Sequence, residues 1–289
     1  MPGRTQYTKY HDKMKYLIKD CLQVNYGLIE DSVFVDFENY FLKTIKKDTS
    51  FKLYRYVSLY YKDEFSLNLE ELRCSNNGSL NDIFEGLPQD WSNLHTAEEY
   101  LKAIQNHAWV KCFSESPKIN LMWAHYADSF KGICIEYDVC KLTDVNIQKQ
   151  LFPVYYTKER KFFLDTDSLI EYYNGDKIDQ TESWRFTKDT KGVFLQKASY
   201  WKYEQEWRLC IINEDKSAEK NIPFACVSAV YLGPRISNSD LRCVVDLVRD
   251  YERNNQCHVD IYKTMLNKKD FTLNVIKDNT LKEDDLWQF

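Results

Sequence analysis

The segment from Trp201 to Ile212 alternates with a period of two almost without a break. Trp201, Tyr203, Trp207, Leu209 and Ile211 share one parity, with Gln205 as the single polar member, and Lys202, Glu204, Glu206 and Arg208 share the other. Successive side chains on a strand point to opposite faces, so the pattern predicts a half-buried strand with an aromatic inner face and a charged outer one. On such a strand the Glu204 and Glu206 carboxyls lie roughly 7 Å apart on one face. Lys202 and Arg208 bracket them and favour their ionised forms. The outer face reads either as a solvated surface laced with ion pairs or as the acidic wall of a site.

A chain of 289 residues can bury a sizeable core. Gly and Pro are scarce (8 and 6), which argues against disorder and long flexible linkers. The net charge of −5 is spread along the chain with no basic run, so there is no strong nucleic-acid signal. The nine cysteines are odd in number and never spaced Cys-x-x-Cys, the usage of free thiols in a reducing compartment. No window approaches a membrane span and the start lacks an apolar signal core, so the expectation is a cytoplasmic protein with no membrane association.

Residues 7–48 carry apolar side chains at helical spacing (Tyr10, Met14, Leu17, Ile18, Cys21; then Phe34, Phe37, Tyr40, Phe41, Ile45). They predict an N-terminal helical extension, residues 1–50, packed on the body or on a protein partner. The body, residues 51–289, opens with an aromatic strand, Phe51–Val57, holding Arg55 in its middle. A cation in such a run needs an anionic partner or an exit to water. Asp82 and Glu85 in the following loop are candidate partners. Trp109–Ser116 reads as a strand, Ser116-Pro117 as the start of a helix reaching about Ser129, and Ile133–Tyr137 and Pro153–Tyr156 as further strands. Residues 165–191 read as polar and helix-like. Ala229–Pro234, a helix from Ser239 or Asp240 to Arg253, and the strand pair Val259–Tyr262 and Phe271–Ile276 complete the chain. Strands outnumber helices and βαβ alternation is absent, which gives an α+β class with a mixed or mostly antiparallel sheet and peripheral helices. No His, Cys or acid spacing predicts a metal site.

In combination, several of these stretches resemble a bacterial family, number twenty-nine seventy-one among the domains of unknown function. They are Leu53-Tyr54-Arg55-Tyr56, Asn81-Asp82-Ile83-Phe84-Glu85, Cys112-Phe113-Ser114, Met122-Trp123-Ala124-His125-Tyr126-Ala127-Asp128, Gly132-Ile133-Cys134-Ile135 and Trp201 to Arg208. The family commonly has proline where Ile83 stands. A weaker resemblance is to mono-ADP-ribosyltransferases of the Arg-Ser-Glu type, through Arg55, then Phe113-Ser114-Glu115-Ser116, then Glu204 and Glu206. That resemblance implies a split sheet core binding NAD as substrate, with Arg55 on a phosphate or ribose and Ser114 bracing the glutamate segment. It implies Glu206 as the catalytic acid and Glu204 as the acceptor-side acid. Tyr126 and His125, from the family motif, are candidates for the same pocket. The function implied is an NAD-consuming transferase or glycohydrolase acting as a toxin or phage-defence effector, with its acceptor open. Two other classes compete: a non-catalytic interaction module working through the N-terminal helices, and a Mg²⁺-dependent nuclease using Asp82, Glu85 and Glu204 or Glu206.

Overall fold

A computed structural model describes residues 8–24, 31–61, 64–65, 67–74, 80–87, 98–99, 102, 108–160, 191–212 and 221–278. Its frame is one eight-stranded sheet. In chain order the strands are β1 (Lys52–Val57), β2 (Ala108–Ser114), β3 (Ile133–Asp138), β4 (Leu151–Pro153), β5 (Glu206–Ile212), β6 (Val227–Leu232), β7 (Asp260–Leu266) and β8 (Leu273–Lys277). Across the sheet they run β8-β7-β6-β3-β1-β2-β5-β4. Every neighbouring pair is antiparallel except β6 and β7. That exception follows from the helix Asn238–Asn255 joining them, since parallel neighbours need a crossover. Ser237 caps this helix by accepting from the Asp240 N–H at 3.1 Å. The molecule is thus mixed α/β with a large, mostly antiparallel sheet.

Two N-terminal helices, α1 (Thr8–Val24) and α2 (Asp31–Ile45), lay their apolar stripes on one face of this sheet. Tyr10, Met14, Ile18, Phe34, Phe37 and Phe41 are buried in the same core as Phe51, Phe152 and Trp207. The Trp207 ring sits 5.1–5.5 Å from those of Tyr10, Phe41 and Phe51, mostly edge to face. Each such pair adds about 0.5–1.5 kcal/mol beyond its buried area.

Several expected boundaries move. The predicted strand from Trp201 begins only at Glu206: Ser199–Glu204 is a 3₁₀ helix, closed by Gln205 in the left-handed region (φ 49°). The Pro153–Tyr156 strand divides at Val154, with Leu151–Pro153 in the main sheet and Tyr155–Thr157 in a parallel ribbon with Gln196–Ala198. The helix expected from Pro117 is shorter, Asn120–Tyr126, and is here called α3. Ser116 does not cap it; its hydroxyl accepts from the Lys118 N–H, and Tyr56 Oη holds Pro117's approach by donating to Ser116 O at 2.7 Å and accepting from Ile119 N. The helix-like reading of residues 165–191 falls outside the described residues except for Lys191.

After α3 the chain reverses through Asp128, Ser129 and Phe130, all with positive φ (44°, 53°, 74°). The reversal is clamped by Gly132 N to Ala127 O (2.8 Å), Gly233 N to Gly132 O (3.0 Å) and Arg235 N to Phe130 O (3.1 Å). A Cβ on Gly132 would lie 2.1 Å from the Val57 carbonyl oxygen, inside any allowed contact. Gly132 is therefore where β1, β3 and the α3 reversal are drawn together. Gly132→Ala should destabilise the protein by at least about 1–3 kcal/mol through forced backbone displacement; a melting temperature equal to the parent's would refute this close approach.

Candidate functional site

Strands β1 and β2 pair at one register point, Tyr54 opposite Ser114, and diverge from there. The row continues outward to Glu136 on β3 and Glu206 on β5. Between the two diverging strands lies a cavity of about 530 Å³, within the ~300–1,000 Å³ usual for small-molecule sites. Tyr54 to Ser58 line one side of this fork and Val110 to Ser114 the other; Glu85, Tyr126, Lys197, Glu204 and Glu206 close its end.

That end is a buried ion cluster. Lys197 Nζ lies 2.9 Å from Glu85 Oε1, 2.5 Å from Glu204 Oε2 and 3.0 Å from Glu206 Oε2. The Arg208 guanidinium reaches Glu206 Oε1 through Nε (2.8 Å), Glu206 Oε2 and Glu85 Oε2 through Nη2 (3.0 and 2.9 Å), and the Phe194 carbonyl through Nη1 (2.6 Å). All five side chains are buried; Arg208 is fully so. Three carboxylates face two cations, leaving one formal negative charge in a water-poor place.

Local sequence explains how each member arrives. Glu206 and Arg208 share a face of β5 by strand alternation, with Trp207 turned to the aromatic core. The left-handed Gln205 swings Glu204 off that strand, and Ser114 Oγ fixes the bend by donating to Glu204 O at 2.7 Å. Lys197 comes from the Gln196–Ala198 ribbon, its ammonium 5.0 Å from the Trp201 ring. Glu85 is carried in by a turn in which Glu85 N donates to Asp82 O (3.0 Å), followed by Gly86 at φ 76°. Ile83 takes the second position of that turn, the one proline favours, so the two residues are interchangeable there.

The two glutamates of β5's entry are electrostatically different. For Glu206, burial pushes the pKa up, but Arg208 and Lys197 outweigh it and hold the carboxyl down at about 2. Glu204 is shifted the other way, raised by burial and by Glu206 against the opposing pull of Lys197 and of a 2.6 Å hydrogen bond from Tyr126 Oη. Adjacent carboxyls with pKa values driven apart can serve as a fixed charge and a proton carrier. Behind them, Tyr156 Oη accepts from the Glu206 N–H at 2.8 Å.

Of the residues singled out from the sequence, Arg55, Ser114, Tyr126, Glu204 and Glu206 all line the cavity. His125 does not: α3 turns it outward, where it is exposed and its Nδ1 lies 3.3 Å from Tyr203 Oη. Its neighbour Tyr126 faces in, because adjacent helical residues diverge by about 100°. The solvated-face reading of Glu204, Glu206 and Arg208 is overturned by their burial, whereas Lys202 is exposed and Trp201 and Tyr203 only partly covered. Arg55 makes no ion pair with Asp82 or Glu85; Glu85 belongs to Lys197 and Arg208. Lys197 was missed, although it follows the apolar run Val193-Phe194-Leu195, the same signal that marked Arg55. Among the described residues no group of three or more His, Cys, Asp or Glu is arranged to hold a metal ion, and no helix is long and apolar enough to cross a membrane.

Fold and site together define a mixed α/β protein whose mostly antiparallel sheet forks over a charged cavity. The family described as "Protein of unknown function (DUF2971)" matches residues 122–209, which supports that family for this chain. The matched span contains Tyr126, Lys197, Glu204, Glu206 and Arg208, and stops short of Arg55, Glu85 and Ser114. No curated protein and no solved structure matches the chain.

Removing Lys197 leaves three buried carboxylates to one guanidinium. Lys197→Met should lower unfolding free energy by about 3–5 kcal/mol, and adding Glu204→Gln should restore part of it by removing one unpaired charge. Urea unfolding of both variants measures this; a double variant no more stable than the single one would contradict the charge count.

Proposed function

We propose that the chain is an NAD-consuming enzyme of the ADP-ribosyltransferase type, acting as a transferase or glycohydrolase. The observation that carries this reading is that Arg55, Ser114 and the Glu204–Glu206 pair, far apart in sequence from one another, line one cavity at the fork of β1 and β2. In the proposed reaction the bond between nicotinamide nitrogen and ribose C1′ breaks with its electron pair leaving on the ring nitrogen, which neutralises the pyridinium. Positive charge develops on the sugar, as in glycoside cleavage. Glu206 stays ionised between Arg208 and Lys197, and through it the cluster's one net negative charge acts on that sugar in a site with little water. An acceptor then attacks C1′ and its proton passes to Glu204, whose raised pKa suits a base. Ser114 holds the Glu204 backbone, and Arg55 offers the forked donors that match a diphosphate.

The competing readings draw less support. Of the acids that a Mg²⁺-dependent nuclease would need, Glu85, Glu204 and Glu206 converge on the Lys197 ammonium. The apolar faces of α1 and α2 that would dock a partner are buried in the chain's own core.

Purified protein incubated with NAD is expected to release nicotinamide, read by chromatography, with or without ADP-ribose appearing on an added protein. Glu206→Gln should slow release by about 10²–10³-fold. A folded parent protein that releases no more nicotinamide than this variant would refute the proposal. A second outcome concerns pH. As a base, Glu204 must be deprotonated, so kcat/KM rises with pH through its pKa. Tyr126→Phe deletes a hydrogen bond that favours the ionised carboxyl, so the acidic limb should move to higher pH, and Glu204→Gln should abolish it. An unmoved limb in Tyr126→Phe would assign it to another group.

A further inference from the structure

Strand alternation from the Tyr54–Ser114–Glu206 row turns two further charged residues of the cavity to the sheet's other side. Arg55 on β1 and Lys111 on β2 both line the cavity, one from each side of the fork. Arg55 is in ion-pair range of no acidic side chain among the described residues, and its neighbour is the neutral, buried Tyr137 hydroxyl. Lys111 Nζ donates at 2.6 Å to the Arg73 backbone carbonyl and likewise meets no carboxylate among them. Arg55 and Lys111 thus border the cavity from its two strands, while all three site carboxylates are engaged by Lys197 and Arg208. Like charges held together in a half-buried place are destabilising unless an anion joins them.

We infer that Arg55 and Lys111 form an anion subsite that takes a phosphate or diphosphate group, so that the ligand itself supplies the missing counter-charge. This deepens the dinucleotide reading by giving the ligand a direction: the diphosphate lies at Arg55 and Lys111, and the electropositive part of the ligand lies toward Glu204 and Glu206. Lys111 is the specificity residue that distinguishes a doubly charged diphosphate from a neutral nucleoside.

The free protein carries a measurable sign of this arrangement. Burial pulls the Lys111 pKa down to about 7, with the Arg55 and Arg73 charges adding to the effect. The other titratable groups facing it, Cys74 and Cys112, are themselves raised by burial and remain neutral thiols at neutral pH. An anion bound beside Lys111 raises its pKa. Below about pH 7 the ammonium is already protonated and binding takes up no proton; above it, binding must draw a proton from solvent, so affinity falls as pH rises.

Calorimetry on the full chain with inorganic pyrophosphate, ADP-ribose and adenosine tests this without any turnover. Pyrophosphate and ADP-ribose are expected to bind competitively, more weakly at about pH 8 than at about pH 6, with a binding heat that depends on the buffer's own ionisation at the higher pH. Adenosine should bind more weakly than ADP-ribose by roughly tenfold or more. Lys111→Met should lose roughly tenfold or more in pyrophosphate affinity together with the pH slope, whereas Lys111→Arg should keep the affinity and lose only the slope. Unchanged affinity and slope in a folded Lys111→Met protein, or adenosine binding as tightly as ADP-ribose, would overturn the subsite. Pyrophosphate binding with no nicotinamide release from NAD would leave the subsite standing and remove the NAD-consuming reaction instead.

Discussion

Five charged side chains from four separate segments exclude water together, and the organisation of the site depends on that exclusion. Taking each ion out of water costs several kcal/mol, and the attraction that offsets it exists only when every partner is in place. Glu85 comes from a turn, Lys197 from a ribbon, Glu204 from a 3₁₀ helix and the Glu206–Arg208 pair from β5. The turn, the ribbon and the 3₁₀ helix are each too short to hold position alone, whereas β5 is paired along its length with β2. The cluster therefore acts less as a source of net stability than as a registration device, because a segment displaced by one residue would leave a bare charge in the interior.

The opposite face of β5 supplies the rigidity that such a device needs. Trp207 lies between Glu206 and Arg208 in sequence and points away from them into Tyr10, Phe41 and Phe51. Its indole N–H is bonded to Glu115 Oε1 at 2.8 Å, and that residue directly follows the end of β2. Trp207 thereby connects the N-terminal helices to the ion cluster. Close-packed interiors transmit displacement because they have no slack.

How much of this could be read in the sequence varies with the kind of signal. Alternation located β1, β2 and β3 to within a few residues and the C-terminal part of β5, and Arg55, set in an aromatic strand, lines the cavity. Alternation failed at Trp201–Gln205, where a 3₁₀ turn and a left-handed residue happen to preserve the polar/apolar pattern without the strand. Glu204 and Glu206 meet at one ammonium for that reason, closer than strand spacing would place them. Burial of the charged face was illegible because it depends on Lys197 and Glu85, whose proximity to β5 is tertiary. His125 and Tyr126 could be separated only by knowing which side of α3 meets the sheet. The glycines, by contrast, were legible as a motif whose reason is plain only in three dimensions, where Gly132 sits against the Val57 carbonyl.

The fork itself explains why function should gather at this place. Beyond the Tyr54–Ser114 pairing, β1 and β2 stop exchanging ladder bonds, so their facing edges turn main-chain donors and acceptors toward the cavity. Buried main-chain polar groups need partners, which solvent or a polar ligand in the cavity can supply. An apolar ligand would leave those groups unsatisfied, and a flat sheet would have no opening at all. The cavity is bordered by carboxylates paired with Lys197 and Arg208 and by Arg55 and Lys111, which are in ion-pair range of no acidic side chain among the described residues, so its charge is unevenly spread.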